Sequence, residues 1–107
     1  MLEWFRPGEH ERVERVLTQL AALGIRRLRT GVSWAEWECV PGGRAWISWL
    51  VPRLAAHVHV LPCFVYTPPS LGVRQATNAP PRDPGAYAAF IDEMLRLFGE
   101  HFEYIEL

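Results

Sequence analysis

Arg29-Thr30-Gly31-Val32-Ser33-Trp34-Ala35-Glu36-Trp37 is the stretch on which the reading of the fold turns. It has the form of a buried strand over residues 25–32 that runs into a loop, with Arg29 near the strand's carboxyl end. Trp34 and Trp37 follow at a spacing of three. In an open α/β sheet or a barrel, ligands bind beyond the carboxyl ends of the strands. A cation and two large flat rings therefore stand where such a fold presents its site. A plainer role suits the same residues: Arg29 as a surface cation, and the two indoles as cover for an edge of the core. The local sequence does not separate the two.

The segments on either side extend the pattern. Pro7-Gly8-Glu9 opens a helix, since proline suits a first turn and Glu9 and Glu11 suit the positive end of the helix dipole. Val13, Val16, Leu17, Leu20 and Leu23 fall on one face at helical spacing, and Gly24 is placed to stop the helix in a left-handed conformation. Val40-Pro41-Gly42-Gly43 signals a turn, which makes residues 33–45 a long loop. A second helix is expected over residues 46–56, where Pro52 requires a first-turn position or a kink. Residues 58–65 form a nearly continuous apolar run, as in strands of parallel sheets, with irregular pairing or a bulge expected at Pro62. A second long loop runs to Arg82. Asp83 then caps a third helix whose first residue is Pro84 and whose apolar face is Tyr87, Phe90, Ile91, Met94, Leu95 and Phe98. A further strand begins at Phe102. Helix and strand thus alternate three times, with long loops after the strands and short ones before them, an asymmetry that belongs to (β/α) barrels.

Composition narrows the function. The 107 residues suffice for one small domain, residues 1–107. The formal net charge of -1 offers no field for nucleic acid or anionic lipid, and Arg26, Arg27 and Arg29 would be split between two strand faces. No apolar run approaches the roughly 20 residues that cross a membrane. Cys39 and Cys63 make neither a disulfide framework nor a zinc pattern and read as two reduced thiols of a cytoplasmic protein. No phosphate-binding loop and no nucleophile elbow occurs, so no cofactor is implied. His57 and His59 sit at a strand's start, away from the expected site face, and read as a solvated rim, not a metal site. Five tryptophans in so short a chain favour a binding cleft.

Taken together, Arg29-Thr30-Gly31-Val32-Ser33-Trp34, Tyr66-Thr67-Pro68-Pro69, Asp83-Pro84 and Phe102-Glu103-Tyr104-Ile105-Glu106-Leu107 resemble the front half of clan A glycoside hydrolases, in the β-xylosidase-like branch. The resemblance runs from the first helix to the fourth strand. It implies a partial (β/α)₈ TIM barrel of about three βα units with parallel strands. It also implies that Tyr104-Ile105-Glu106-Leu107 leads into the Asn-Glu-Pro motif carrying the general acid/base. Both catalytic carboxylates would then lie outside these residues, and the chain by itself would be inactive. By the same resemblance Arg29 helps hold the nucleophile carboxylate, and Trp34, Trp37 and Tyr66 line the sugar cleft. Glu106 is the expected partner of Arg29, whose guanidinium should point inward. The implied partner is a carbohydrate, with self-association through open sheet edges as a further expectation. The rival reading is a small, non-catalytic α/β module that binds carbohydrate or another protein.

Overall fold

The computed structural model describes residues 2–107. Its elements run β1 (Leu2–Glu3), α1 (His10–Ala22), β2 (Arg27–Ser33), α2 (Trp34–Cys39), α3 (Gly43–Ala55), β3 (His59–Val65) and α4 (Pro84–Phe98), with 3₁₀ turns at Pro69–Leu71 and Gly99–His101. The three strands form one sheet in the order β1-β2-β3, and both pairings are parallel. The chain is thus a small α/β fold in which an open, all-parallel sheet alternates with helices. Strands adjacent in sequence are adjacent in space, as in a run of βα units. No helix among the described residues is long and apolar enough to cross a membrane.

β2 and β3 pair without interruption from Arg27 opposite His59 to Ser33 opposite Val65. Pro62 therefore makes no bulge against β2. Its carbonyl accepts from the Glu106 N–H at 2.9 Å on the other side, and the Phe64 N–H donates to the Glu106 carbonyl at 2.9 Å. In a strand the N–H and C=O of one residue point the same way, so the donor that proline lacks is lost on the side of residues 102–106. There the pairing is irregular. Bridges join Val60 to Phe102 and Cys63 to Glu106, so three steps on β3 face four on the other segment. The irregularity expected at Pro62 is present, carried by its neighbour. The expected fourth strand is reduced to these two parallel bridges.

Alternation along the strands separates two faces. Leu28, Val32, Val60 and Phe64 are buried in one cluster with Val13, Leu17 and Leu20 of α1, Ile47, Leu50 and Leu54 of α3, and Phe90, Met94 and Phe98 of α4. All the helices lie against this face. Arg29, Gly31, Leu61, Cys63 and Val65 occupy the other face, are only half-buried and have no helix over them. Parallel sheets are ordinarily covered on both sides. One bare face is the geometry of a barrel wall seen from inside.

Helix ends follow the sequence closely, with two exceptions. Gly24 has φ +70°, and the Ile25 and Gly24 N–H groups donate to the Leu20 and Ala21 carbonyls, closing α1 as a Schellman motif. Leu23, expected on the buried face, is 69% exposed because it is the helix's C-cap and no longer follows the 3.6 period. Asp83 accepts from the Gly85 N–H at 2.9 Å, with Pro84 as first residue of α4. The second exception is larger. Residues 33–45, expected to be loop, contain α2 and the start of α3. The Ser33 hydroxyl accepts from the Glu36 N–H at 3.1 Å and nucleates α2. α3 begins at Gly43, three residues before its expected start, and carries Pro52 in its interior rather than its first turn.

Candidate functional site

The bare face of the sheet is where side chains with chemistry converge. Arg29 projects from β2 and meets Glu106, with Nε donating to one carboxylate oxygen at 2.5 Å and an Nη group donating to the other. This fork-to-fork pairing is the geometry in which arginine binds a carboxylate most specifically. The donation from Arg29 holds the Glu106 carboxyl below its ordinary range, although partial desolvation opposes it. The same bond raises the guanidinium, which stays charged at any working pH. Both side chains remain more than a third exposed, so solvent screens the pair, and its value lies in fixing geometry. Arg29 does point to the helix-free side with Glu106 as partner. It is the third residue of β2, however, with four strand residues after it, and so stands mid-strand and not at the carboxyl end.

Further along the same face the surface becomes aromatic. The indole of Trp4, which follows β1, lies on Gly31. A methyl group built at Gly31 would sit 1.9 Å from the ring. An interior strand glycine marks a place of close approach, and here the indole occupies it. Tyr66, just past β3, meets Trp4 edge-on, with ring centres 5.4 Å apart and planes at 64°. Tyr66 has φ +63°, uncommon for a bulky side chain, and its carbonyl accepts from the Ala35 N–H at 2.9 Å. Its ring is 46% exposed. Trp4 also lines an open depression of about 700 Å³ with Arg6, Pro7, Glu9 and Arg12. Arg12 fixes this corner by donating to the Trp4 carbonyl and to Glu3.

Trp34 and Trp37 are elsewhere. They are 2% and 4% exposed and belong to the helix-side core. Trp34 stacks on Phe90 at 5.7 Å and 18°, and Trp37 meets Phe98 edge-on. Trp37 Nε1 donates to Glu93 at 3.3 Å, and the Arg44 guanidinium lies 4.9 Å from the Trp37 ring centre. A spacing of three is one face of a helix, so once residues 34–39 coil both indoles turn inward together. Neither ring is presented to a ligand in this structure. Of the four residues singled out in the sequence, Arg29 and Tyr66 reach the bare face and the two tryptophans do not. Trp4 reaches it unexpectedly; Gly31 marks a place of close approach in the strand without identifying the group that approaches.

The remaining candidates are dispersed. Cys39 is exposed and Cys63 half-buried, both as free thiols. No group of three or more metal-ligating side chains occurs among the described residues. His57 and His59 are exposed at the opposite end of the strands. Glu36 is half-buried, and desolvation pushes its carboxyl above the ordinary range. No family model and no curated protein matches the sequence.

Proposed function

We propose that this chain is the N-terminal part of a (β/α)₈ retaining glycosidase similar to the β-xylosidase-like enzymes of clan A, in which it forms one wall of the sugar cleft. The observation that carries the reading is the forked Arg29–Glu106 pair on the helix-free sheet face, next to an exposed aromatic corner. In a closed barrel that face is the interior. There Arg29, already oriented by Glu106, would add positive charge beside a nucleophilic carboxylate supplied by a later strand. Retaining glycosidases use two carboxylates roughly 5–5.5 Å apart, one as acid/base and one as nucleophile. In this reading both come from outside the 107 residues.

Sequencing the reading frame beyond Leu107 tests the proposal. An Asn-Glu-Pro continuation followed by further βα units supports it. A stop codon together with an independently stable product favours the second reading, a small non-catalytic carbohydrate-binding module. The contiguous helix-side core, which links α1, α3 and α4 through β2 and β3, is the observation on that module's side.

A further inference from the structure

We propose that the cleft at the amino ends of β2 and β3 binds a small organic phosphate, held by Arg26, His57 and His59. The proposal goes beyond the glycosidase reading and does not rest on it. The cleft lies on the helix side, at the opposite end of the strands from Tyr66 and α2. Its volume is about 450 Å³, within the roughly 300–1,000 Å³ of small-molecule sites. Small residues make the space: Ala21 and Gly24 at the end of α1 face Ala55 and Ala56 at the end of α3. Leu17 and Val58 add apolar wall. Every charged or titratable side chain that lines the cleft is basic. The acids Glu100 and Glu103 line the adjoining hollow, which shares His59.

Basic side chains past a helix C-terminus ordinarily complement the dipole and its open carbonyls. Here backbone N–H groups already serve those carbonyls. Ile25 and Gly24 donate to Leu20 and Ala21, and His57 and Val58 both donate to Leu54, at 3.0 and 2.9 Å. The side chains of Arg26, His57 and His59 make no hydrogen bond or ion pair among the described residues. Glu14 is close enough to His57 to feel its charge, but Arg53 takes both of its oxygens at 2.6 Å. Three basic groups are thus left facing one concave space. A cleft lined by one sign of charge, with apolar walls, concentrates counter-ions. A guanidinium forks onto two phosphate oxygens, and each imidazole has an N–H to donate in either charge state. The three terminal oxygens of a phosphate monoester match these donors better than the two of a carboxylate. The cleft is larger than a phosphate group, so the ligand carries an organic part against Leu17 and Val58.

Equilibrium dialysis of the full 107-residue chain tests this, because it reads binding whatever the state of association. The probes are phenyl phosphate, inorganic phosphate and benzoate at constant ionic strength. The expected result is saturable binding of phenyl phosphate with Kd below about 1 mM, and binding of the other two weaker by about tenfold or more. Arg26→Gln and His59→Gln should each weaken phenyl phosphate about tenfold, a change worth about 1.4 kcal/mol. Both side chains are exposed, so the urea midpoints should stay at the parent value, which separates lost binding from lost folding. Arg74→Gln removes the same charge from the loop after β3 and should leave binding unchanged. An equal loss in Arg74→Gln would reduce the effect to net charge and overturn the site. Benzoate binding as tightly as phenyl phosphate, or no saturable binding of phenyl phosphate, would overturn it as well. None of these outcomes touches the barrel reading, which stands or falls separately on the sequence beyond Leu107.

Discussion

Thr30 is the residue at which the core is least economical. It is fully buried on the helix side of β2, and its hydroxyl has no hydrogen-bond partner. Such a group keeps its desolvation cost, whereas an apolar replacement of the same shape removes it. Thr30→Val should therefore stabilise the chain by about 1 kcal/mol, seen as a higher urea midpoint at unchanged slope. A lower midpoint would mean that the hydroxyl has a partner, such as a buried water. The titrating residues act with opposite signs. Glu14 and Glu106 are held below the ordinary carboxylate range, chiefly by hydrogen bonds from Arg53 and Arg29. A depressed folded pKa contributes stability above the unfolded value of about 4.3, and this is lost as pH falls through the folded value. Glu36 is raised by burial, so it costs stability once pH rises through its folded pKa and costs nothing below the unfolded value. Glu106→Gln should thus lower stability at pH 7 and match the parent in strong acid. Glu36→Gln should raise it at pH 7. Urea melts at the two pH values would show whether the signs are right.

At the scale of elements, α2 explains most of what the sequence concealed. Ser33-Trp34-Ala35-Glu36 has the Ser-x-x-Glu form of a capping box, and Ser33 does cap the helix. The turn signal at Val40-Pro41-Gly42 follows too soon for a helical period to show, so six residues of helix look like loop. Read as loop, the segment left Trp34 and Trp37 free for the cleft that the resemblance implied; coiled as α2, it buries both in the helix-side core. Elements with chemical punctuation at their ends were legible from sequence: Gly24 closing α1, and Asp83 with Pro84 opening α4. The Arg29–Glu106 pairing was legible only because a parallel strand order brings residues 77 apart in sequence onto one face. Trp4 was not legible, because two paired residues of β1 give no alternation to follow. Ser33→Ala should cost about 1 kcal/mol through the lost cap. It should also expose the Trp34 and Trp37 indoles, seen as a red-shifted tryptophan emission. An unchanged spectrum with unchanged stability would mean that packing alone holds α2.

For the whole molecule, the decisive feature is a parallel sheet with one bare face and incompletely paired edges, since β1 covers only two residues of β2 and residues 102–106 meet β3 at only two bridges. Leu61 and Val65 on that face are only half-buried, and Leu2, Tyr104 and Leu107 are exposed around it. Open edges offer unpaired N–H and C=O groups to other chains. The isolated chain is therefore expected to self-associate or to melt with weak cooperativity, which light scattering after size exclusion and a urea melt would reveal. A monomer with a sharp transition would favour the independent binding module.

The proposed role in glycoside hydrolysis is tested most directly by comparing three proteins on aryl β-xylosides and β-glucosides: the 107-residue chain, the chain extended through the downstream reading frame, and the extended protein with Arg29→Ala. The chain alone should show no turnover above a heat-killed control, because acid/base and nucleophilic groups each commonly contribute orders of magnitude in rate. The extended protein should hydrolyse at least one of these substrates. Its Arg29→Ala variant should lose a hundredfold or so in kcat/KM, about 2.7 kcal/mol of transition-state stabilisation, with a much smaller loss of folding stability. Turnover by the chain alone, or an extended protein that folds and hydrolyses neither substrate, would contradict the assignment.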